Sequence, residues 1–357
     1  PLKVVVWVTG NVGRPAIRAV VSHAGLELAG VIVASEGKLG LDAGEIAGLG
    51  PVGVIATNDS ASLLASRPDA VVYTATADTR PAEAMADLMA CLEAGINVVS
   101  TAFYAFLHPG SAPAEALAPL QAACEKSGAS LFVSGIDPGW VMDWLPVVAS
   151  GAVSGIREIR VREVFNYALY DQPQVVREVI GFGGDMSELP MMLHDFAIEM
   201  VWAPMLRLMG EALDKPVDDI EIRVERLPLE RSIDVPGMGR FEAGTQGAFR
   251  FEVIGKHRGN ALYVLEHVTR IDDDCAPHWP YPPEGRGCHQ VIISGDPDLH
   301  LTVHGEDHHE PGAAGGGNAS AANWVVNALP AVCAAAPGVV TAFDLPRISG
   351  AAQLVVR

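Results

Sequence analysis

The chain has 357 residues, is 49% hydrophobic and carries a formal net charge of −19. That length and apolar content exclude a disordered chain and point to two domains or one elaborate one. Charges, Gly and Pro interrupt every apolar run before it reaches the length of a membrane span, and so strong a negative charge repels phosphate backbones and anionic headgroups, which excludes nucleic acid and membrane surfaces as partners.

The first residues, Pro1-Leu2-Lys3-Val4, read directly as a strand with no charged leader, which implies a cytoplasmic protein. Residues 4–8 form a β-branched run, followed by a Gly-containing turn and a helix over 14–23. Strands are predicted at 28–34, 52–56 and, after the turn at 67–69, at 70–74. A helix over 80–94 closes at Gly95, a strand spans 97–101, a helix over 112–127 closes at Gly128, and a strand spans 130–134. Near-continuous apolar strands separated by helices predict a parallel sheet covered on both faces, an α/β Rossmann domain over residues 1–150. Beyond residue 150 the texture changes. Residues 156–165, 220–226, 247–254 and 262–269 alternate apolar and polar, which predicts an antiparallel sheet with one dry face. With a helical block over 189–210, this reads as an α+β substrate and dimerisation domain over 151–318. Residues 305–317 are Gly- and His-rich and read as a mobile loop. A helix over 319–336 then opens a C-terminal segment, 319–357, that returns to the Rossmann domain. The five cysteines are scattered and form no CxxC pair, so neither a disulfide framework nor a structural zinc site is expected.

The strand–turn–helix at the start reads Val8-Thr9-Gly10-Asn11-Val12-Gly13-Arg14-Pro15. A GxGxxG fingerprint would place glycines at 8, 10 and 13, and here position 8 is Val. Gly10 lets the backbone approach a pyrophosphate and Gly13 lets the helix pack closely on the strand. The amides of Asn11, Val12 and Gly13 then point at the phosphates from a helix N-terminus. At the end of the second strand, Ser35 and Lys38 suit the 2′-phosphate of NADP, whereas Glu36 suits the 2′-hydroxyl of NAD. The balance leans to NADP(H), with NAD(H) as the alternative. Three further loops belong at the carboxyl ends of strands, where such sheets bind ligands. They hold Thr74, Ala75 and Thr76; Ser100, Thr101 and Ala102; and the run Gly135-Ile136-Asp137-Pro138-Gly139-Trp140.

At GIDPGW the sequence resembles the Gly-x-Asp-Pro-Gly loop that amino-acid dehydrogenases of the meso-diaminopimelate type carry beside the nicotinamide. Over nearly its full length the chain is similar to the dihydrodipicolinate-reductase-like family that includes 2,4-diaminopentanoate dehydrogenase and the native amine dehydrogenases. The matching stretches are TGNVG (9–13), NVVST (97–101), GIDPGW (135–140), TRIDDDCAPHWP (269–280) and VNALPAVCAAAPGVVTAFDLP (326–346). The resemblance implies a homodimer and NAD(P)H-dependent interconversion of a small ketone plus ammonia with an amine. It assigns Asp137, Pro138 and Gly139 to the cofactor loop, and to Asn327 a place beneath the cofactor. It also implies a glutamate after the NVVST-type strand, to polarise ammonia or an iminium. Here that loop reads AFYAFLHP, without a carboxylate.

The acid must then be sought elsewhere. Tyr104 or His108 in the loop would suit a neutral carbonyl. Glu163, on the strand IREIRVREVF, would have a raised pKa if it faced inward among apolar residues. Phe103, Phe106, Trp140, Tyr167 and Tyr170 are candidate walls of a pocket with few charges, and Asp171 follows them. His304, His308 and His309 lie in a loop without helical ligand spacing, and hydride transfer needs no metal, so none is expected. Three readings stand: an amine dehydrogenase for a small apolar amine or ketone, a carbonyl or alcohol reductase using Tyr104 or His108, and a non-catalytic NADP-binding sensor.

Overall fold

A computed structural model describes residues 1–170, 172–310 and 313–355; Asp171 and residues 311–312 of the Gly- and His-rich stretch lie outside the described residues. The chain forms two compact units, Pro1–Trp140 with Asn318–Arg357, and Val141–Gly317.

The first unit opens on β1 (Leu2–Trp7), whose Val4, Val5 and Val6 are fully buried. A strand dry on both faces is what a parallel sheet sandwiched by helices requires. The chain continues through α1 (Gly13–Ser22), β2 (Leu26–Ile32), α2 (Ala43–Ala47), α3 (Ser60–Ala65) and β3 (Ala70–Tyr73). It then runs through α4 (Pro81–Glu93), β4 (Asn97–Ser100), α5 (Ala114–Ser127) and β5 (Ser130–Val133). The strand predicted at 52–56 does not form; Ile55 makes an isolated bridge with Asp42, and Thr57, just beyond the stretch, makes another with Ile32. Asp42 is the cause, because its carboxylate accepts from the amides of Gly44, Val52 and Gly53 and so turns the chain before a ladder can start.

The second unit begins with α6 (Trp144–Ser150) and β6 (Ser154–Asn166), followed by α7 (Asp195–Ala212) and β7 (Asp219–Pro228). A short hairpin of β8 (Ile233–Val235) and β9 (Gly239–Phe241) precedes β10 (Gln246–His257), β11 (Asn260–Arg270), β12 (Gly287–Asp296) and β13 (Leu299–Val303). The expected boundary at residue 150 falls instead at 140, since α6 packs on β6, β12 and α7. The large sheet runs β13-β12-β6-β11-β10-β7. It is mixed rather than antiparallel, because β11 lies parallel to β6, from Tyr263 opposite Ile159 to Arg270 opposite Asn166. Alternation of apolar and polar residues reports one-sided burial, not direction, and the long connection from β6 to β11 through α7 permits a parallel neighbour.

One face of this sheet carries Val161, Leu265, Phe249, Phe251 and Val253, all buried, with α7 packed across β7, β10 and β11. The other face is polar. There Glu266 is wholly buried with Arg162 at 2.7 Å, Arg250 at 2.8 Å and Arg160 at 2.9 Å. Burial pushes its carboxyl up, but the three guanidiniums outweigh it and hold the group below its ordinary value.

Asp143 caps α6 by accepting from the Trp144 amide, and it is completely buried. Its second oxygen has no hydrogen-bond partner, and burial pushes its pKa up to about 7. A carboxyl with a raised folded-state pKa stabilises the fold fully only below its unfolded value, and that contribution is lost as pH rises toward 7. Asp143→Asn, which keeps the cap, is therefore expected to raise Tm at pH 8 by an amount worth up to about 4 kcal/mol, at 1.36 kcal/mol per pKa unit, and to leave it unchanged near pH 4. Thermal unfolding across pH 4–8 checks this.

The helix expected over 319–336 is α8 (Ala313–Ala334), and β14 (Gly338–Val340) follows it beside β5. α8 therefore starts inside the predicted loop. One of its glycines has a packing role: Gly316 lies against the carbonyl of Gly305, where a Cβ would come within 1.9 Å of the oxygen. Among the described residues no helix is long and apolar enough to cross a membrane.

Candidate active site

In the first unit all strands are parallel in the order β14-β5-β4-β3-β1-β2. From β1 the sheet grows one way to β2 and the other way to β3, and ligands of open α/β sheets sit outside the carboxyl ends of the strands at such a switch point. The turn after β1 occupies that place. Val8, where the fingerprint has its first glycine, holds φ at +74°, a left-handed conformation unusual for a β-branched residue. Its amide donates to Ile32 O at 2.8 Å, and its carbonyl accepts from Thr74 Oγ1 at 2.9 Å. The backbone is thus clamped on both sides into the shape a glycine would take freely.

Gly13 follows from the same clamp, since a Cβ on it would lie 2.0 Å from Val8 O. Gly10 is different, with nothing within 4 Å of where its Cβ would be. No side chain caps α1. The amides of Asn11 and Val12 in the turn and of Gly13 at the helix start therefore offer a seat for an anion beside an open glycine. A dinucleotide diphosphate fits this turn.

The other predicted cofactor residues divide. Lys38 brings its ammonium to the phosphate turn, donating to Thr9 O at 2.8 Å and Thr9 Oγ1 at 3.3 Å, while Ser35 and Glu36 are exposed beside it. Thr74 holds the turn through its hydroxyl, Ala75 is buried, and Thr76 is exposed and bonded to Asp78. Ser100 is wholly buried and accepts from the Ala102 amide, so it shapes the bend after β4, where Ala102 is itself buried and Thr101 donates its amide to Tyr73 O. Residues 135–139 form a tight loop in which both glycines are needed: a Cβ on Gly135 would lie 2.8 Å from Pro138 O, and one on Gly139 would lie 2.4 Å from Gly135 N. Trp140 follows, with its ring 6.2 Å from that of Trp324, whose indole donates to Ser134 Oγ.

One expectation is corrected. Phe106 is not a pocket wall but part of the hydrophobic core of the first unit, 2% exposed and packed with Phe103 at 5.6 Å. Asn327, expected beneath the cofactor, lies on α8. Its Oδ1 accepts from Gln353 Nε2, which also donates to Ala19 O, six residues and so about 9 Å along α1 from Gly13. Phe103 itself has a left-handed φ of +62°, a second strained residue at the carboxyl edge, and it leads into the 3-10 turn of Tyr104–Leu107. Tyr104 is half-buried there. His108 is buried and bonds Ser111 Oγ through Nδ1 at 2.7 Å, a local turn contact.

The second unit gathers a polar cluster on the dry face of its sheet. Register sets it: Glu163 on β6 stands opposite His267 on β11 and opposite His289 on β12. His267 Nε2 lies 3.2 Å from Glu163 Oε1, and His289 Nε2 lies 3.7 Å from Oε2. Tyr167 donates its hydroxyl to Oε1 at 3.1 Å. Glu163, His267 and His289 are all buried, and Tyr167 stacks on Tyr170 at 5.3 Å. A buried carboxylate ringed by two histidines and a tyrosine has the composition of an acid–base site. Neither histidine was expected from the sequence. The available signal was a His at the apolar phase of two alternating runs, LEHVT and GCHQV.

The family described as "Dihydrodipicolinate reductase, N-terminus" matches residues 2–105, and the "2,4-diaminopentanoate dehydrogenase C-terminal domain" matches residues 140–355. An amine dehydrogenase of Streptomyces virginiae is 46% identical over 347 residues, which is 97% of this chain and 96% of that protein. The structure of an amine dehydrogenase from Mycobacterium smegmatis superposes with a TM-score of 0.76 at 22% identity, covering 99% of this chain and 98% of the other. An oxidoreductase from Agrobacterium radiobacter, solved with NAD+, L-tartaric acid and magnesium, gives 0.56 at 13% identity, covering 96% and 92%.

Proposed function

Because the chain belongs to the family marked by the 2,4-diaminopentanoate dehydrogenase C-terminal domain and is an NAD(P)-dependent oxidoreductase of the amine dehydrogenase type, we propose that it interconverts a small, largely apolar ketone plus ammonia with the corresponding primary amine, using Glu163 as its proton-handling carboxylate. The observation that carries this reading is the buried Glu163 cluster, in a chain whose loop 102–109 has no carboxylate.

In the reductive direction, ketone, ammonium, NAD(P)H and one proton give the alkylammonium ion, NAD(P)+ and water. The bound nicotinamide supplies the hydride. The turn at residues 8–13 would hold the diphosphate, and Lys38 with Ser35 would favour the 2′-phosphate of NADP(H) over NAD(H), Glu36 being the opposing feature. Glu163, when ionised, accepts a proton from ammonium so that ammonia can attack the carbonyl. When protonated, it returns that proton to the departing hydroxyl, leaving an iminium that the negative carboxylate stabilises. Tyr167 and Tyr170 supply an aromatic wall for the alkyl part and for the cation. A homodimer assembled through the second unit completes the proposal, tested by light scattering.

The deciding experiment is NADPH oxidation with a panel of small ketones, with and without ammonium. Oxidation is expected only with ammonium. Oxidation without it would favour the second reading, a carbonyl reductase acting through Tyr104, which the same missing loop carboxylate suggests.

A further inference from the structure

The mechanism above uses Glu163 and leaves the buried residues behind it unassigned. His267 is 2% exposed, and Thr269, two residues further along β11 and on the same face, is wholly buried. Thr269 Oγ1 lies 2.7 Å from His267 Nδ1, while His267 Nε2 lies 3.2 Å from Glu163 Oε1. The imidazole is held flat. Phe251 stacks on it at 4.9 Å and 12°, Phe249 at 5.8 Å and 11°, and Trp202 from α7 meets its edge at 5.5 Å. The ring can therefore neither tilt nor turn without disturbing three aromatic neighbours, so the proton on it is the remaining variable.

An ionised carboxylate only accepts, so the nitrogen facing Glu163 must be the one that carries hydrogen. In a neutral ring the other nitrogen, Nδ1, is then an acceptor, and its neighbour must donate. A threonine hydroxyl can do so. From this chain of contacts we infer that Thr269 and His267 are positioning residues: Thr269 donates Oγ–H to Nδ1 and so holds in place the Nε2–H tautomer that Glu163 demands, and His267 with Tyr167 pins Oε1 of Glu163, setting the plane in which the carboxylate meets the substrate nitrogen. The inference rests on the assignment of Glu163 as the proton-handling group. It adds that the group is oriented by a hydroxyl–imidazole pair that never touches substrate. With valine at 269, Nδ1 becomes a buried acceptor that has lost its donor, and the Nε2–H tautomer and the ring's position are held by Glu163 alone.

The test compares Thr269→Val with Thr269→Ser in the full-length enzyme, alongside Glu163→Gln. Thr269→Val is expected to lower kcat for reductive amination roughly tenfold, as loss of an outer partner of a functional histidine does, with the KM values for ketone and ammonium within about twofold because substrate contacts remain. Thr269→Ser should recover most of that loss. Nitrogen-15 NMR of labelled histidine in the unmodified protein should show His267 protonated at Nε2 with Nδ1 as acceptor, a readout that survives if Thr269→Val does not fold. Wild-type kcat in a folded Thr269→Val, or a protonated Nδ1 in the unmodified protein, overturns the inference while leaving Glu163 in place. Wild-type kcat in Glu163→Gln removes the reading it rests on, whatever Thr269 does.

Discussion

Glu163→Gln is expected to lower kcat by about 10²–10⁴-fold, the usual worth of a positioned acid–base group, without changing the affinity for NAD(P)H. Glutamine keeps an oxygen to accept from Tyr167 at the position of Oε1, so the cluster is not emptied by the change, and what is lost is the charge and the transferable proton. The two properties are measured separately, by steady-state amination and by quenching of nucleotide fluorescence. Tyr104→Phe provides the contrast: if that substitution abolishes turnover while Glu163→Gln retains it within a factor of about ten, the proton belongs to the loop after β4 and not to the sheet.

The second large effect separates two glycines three residues apart. Gly10→Ala adds a methyl group where nothing lies within 4 Å, so Tm should not move. If the diphosphate occupies that space, the nucleotide Kd should rise at least about tenfold, a loss near 1.4 kcal/mol. Gly13→Ala adds the same methyl 2.0 Å from Val8 O and 2.9 Å from Thr74 Oγ1, so it should lower both Tm and affinity. Calorimetry and titration of the two variants distinguish a ligand seat from a packing contact. Unchanged affinity in Gly10→Ala would place the diphosphate elsewhere.

Much of this was legible in the residues. The first unit announces itself because most of its strands are buried on both faces and α4 and α5 close at Gly95 and Gly128, so the rhythm of β1 to β5 survives in the sequence to within about two residues. The second unit was harder to read. Its alternating strands disclosed which residues are dry but not that β6 and β11 run the same way, a matter of chain routing that side-chain periodicity does not record. β13, whose five residues LHLTV are all at least partly exposed, carries too weak a pattern to stand out. The site divided along the same line. Motif residues near Gly10 and Gly13 follow from local geometry, whereas the His267–Glu163–His289 row depends on register across three strands far apart in sequence. Glu163 could be suspected by itself; its companions could not. Phe106 illustrates the converse, an aromatic in a functional loop that faces the interior because the 3-10 turn at 104–107 rotates it there.

The valine at position 8 bears on how such proteins are found and how they diverge. The left-handed bend is imposed by hydrogen bonds from neighbouring strands, so the residue identity there is under less constraint than a glycine signature assumes. A search pattern demanding that first glycine would pass over this chain. A lineage could also exchange the residue without rebuilding the turn, provided Thr74 and the carbonyl of Ile32 keep their grip.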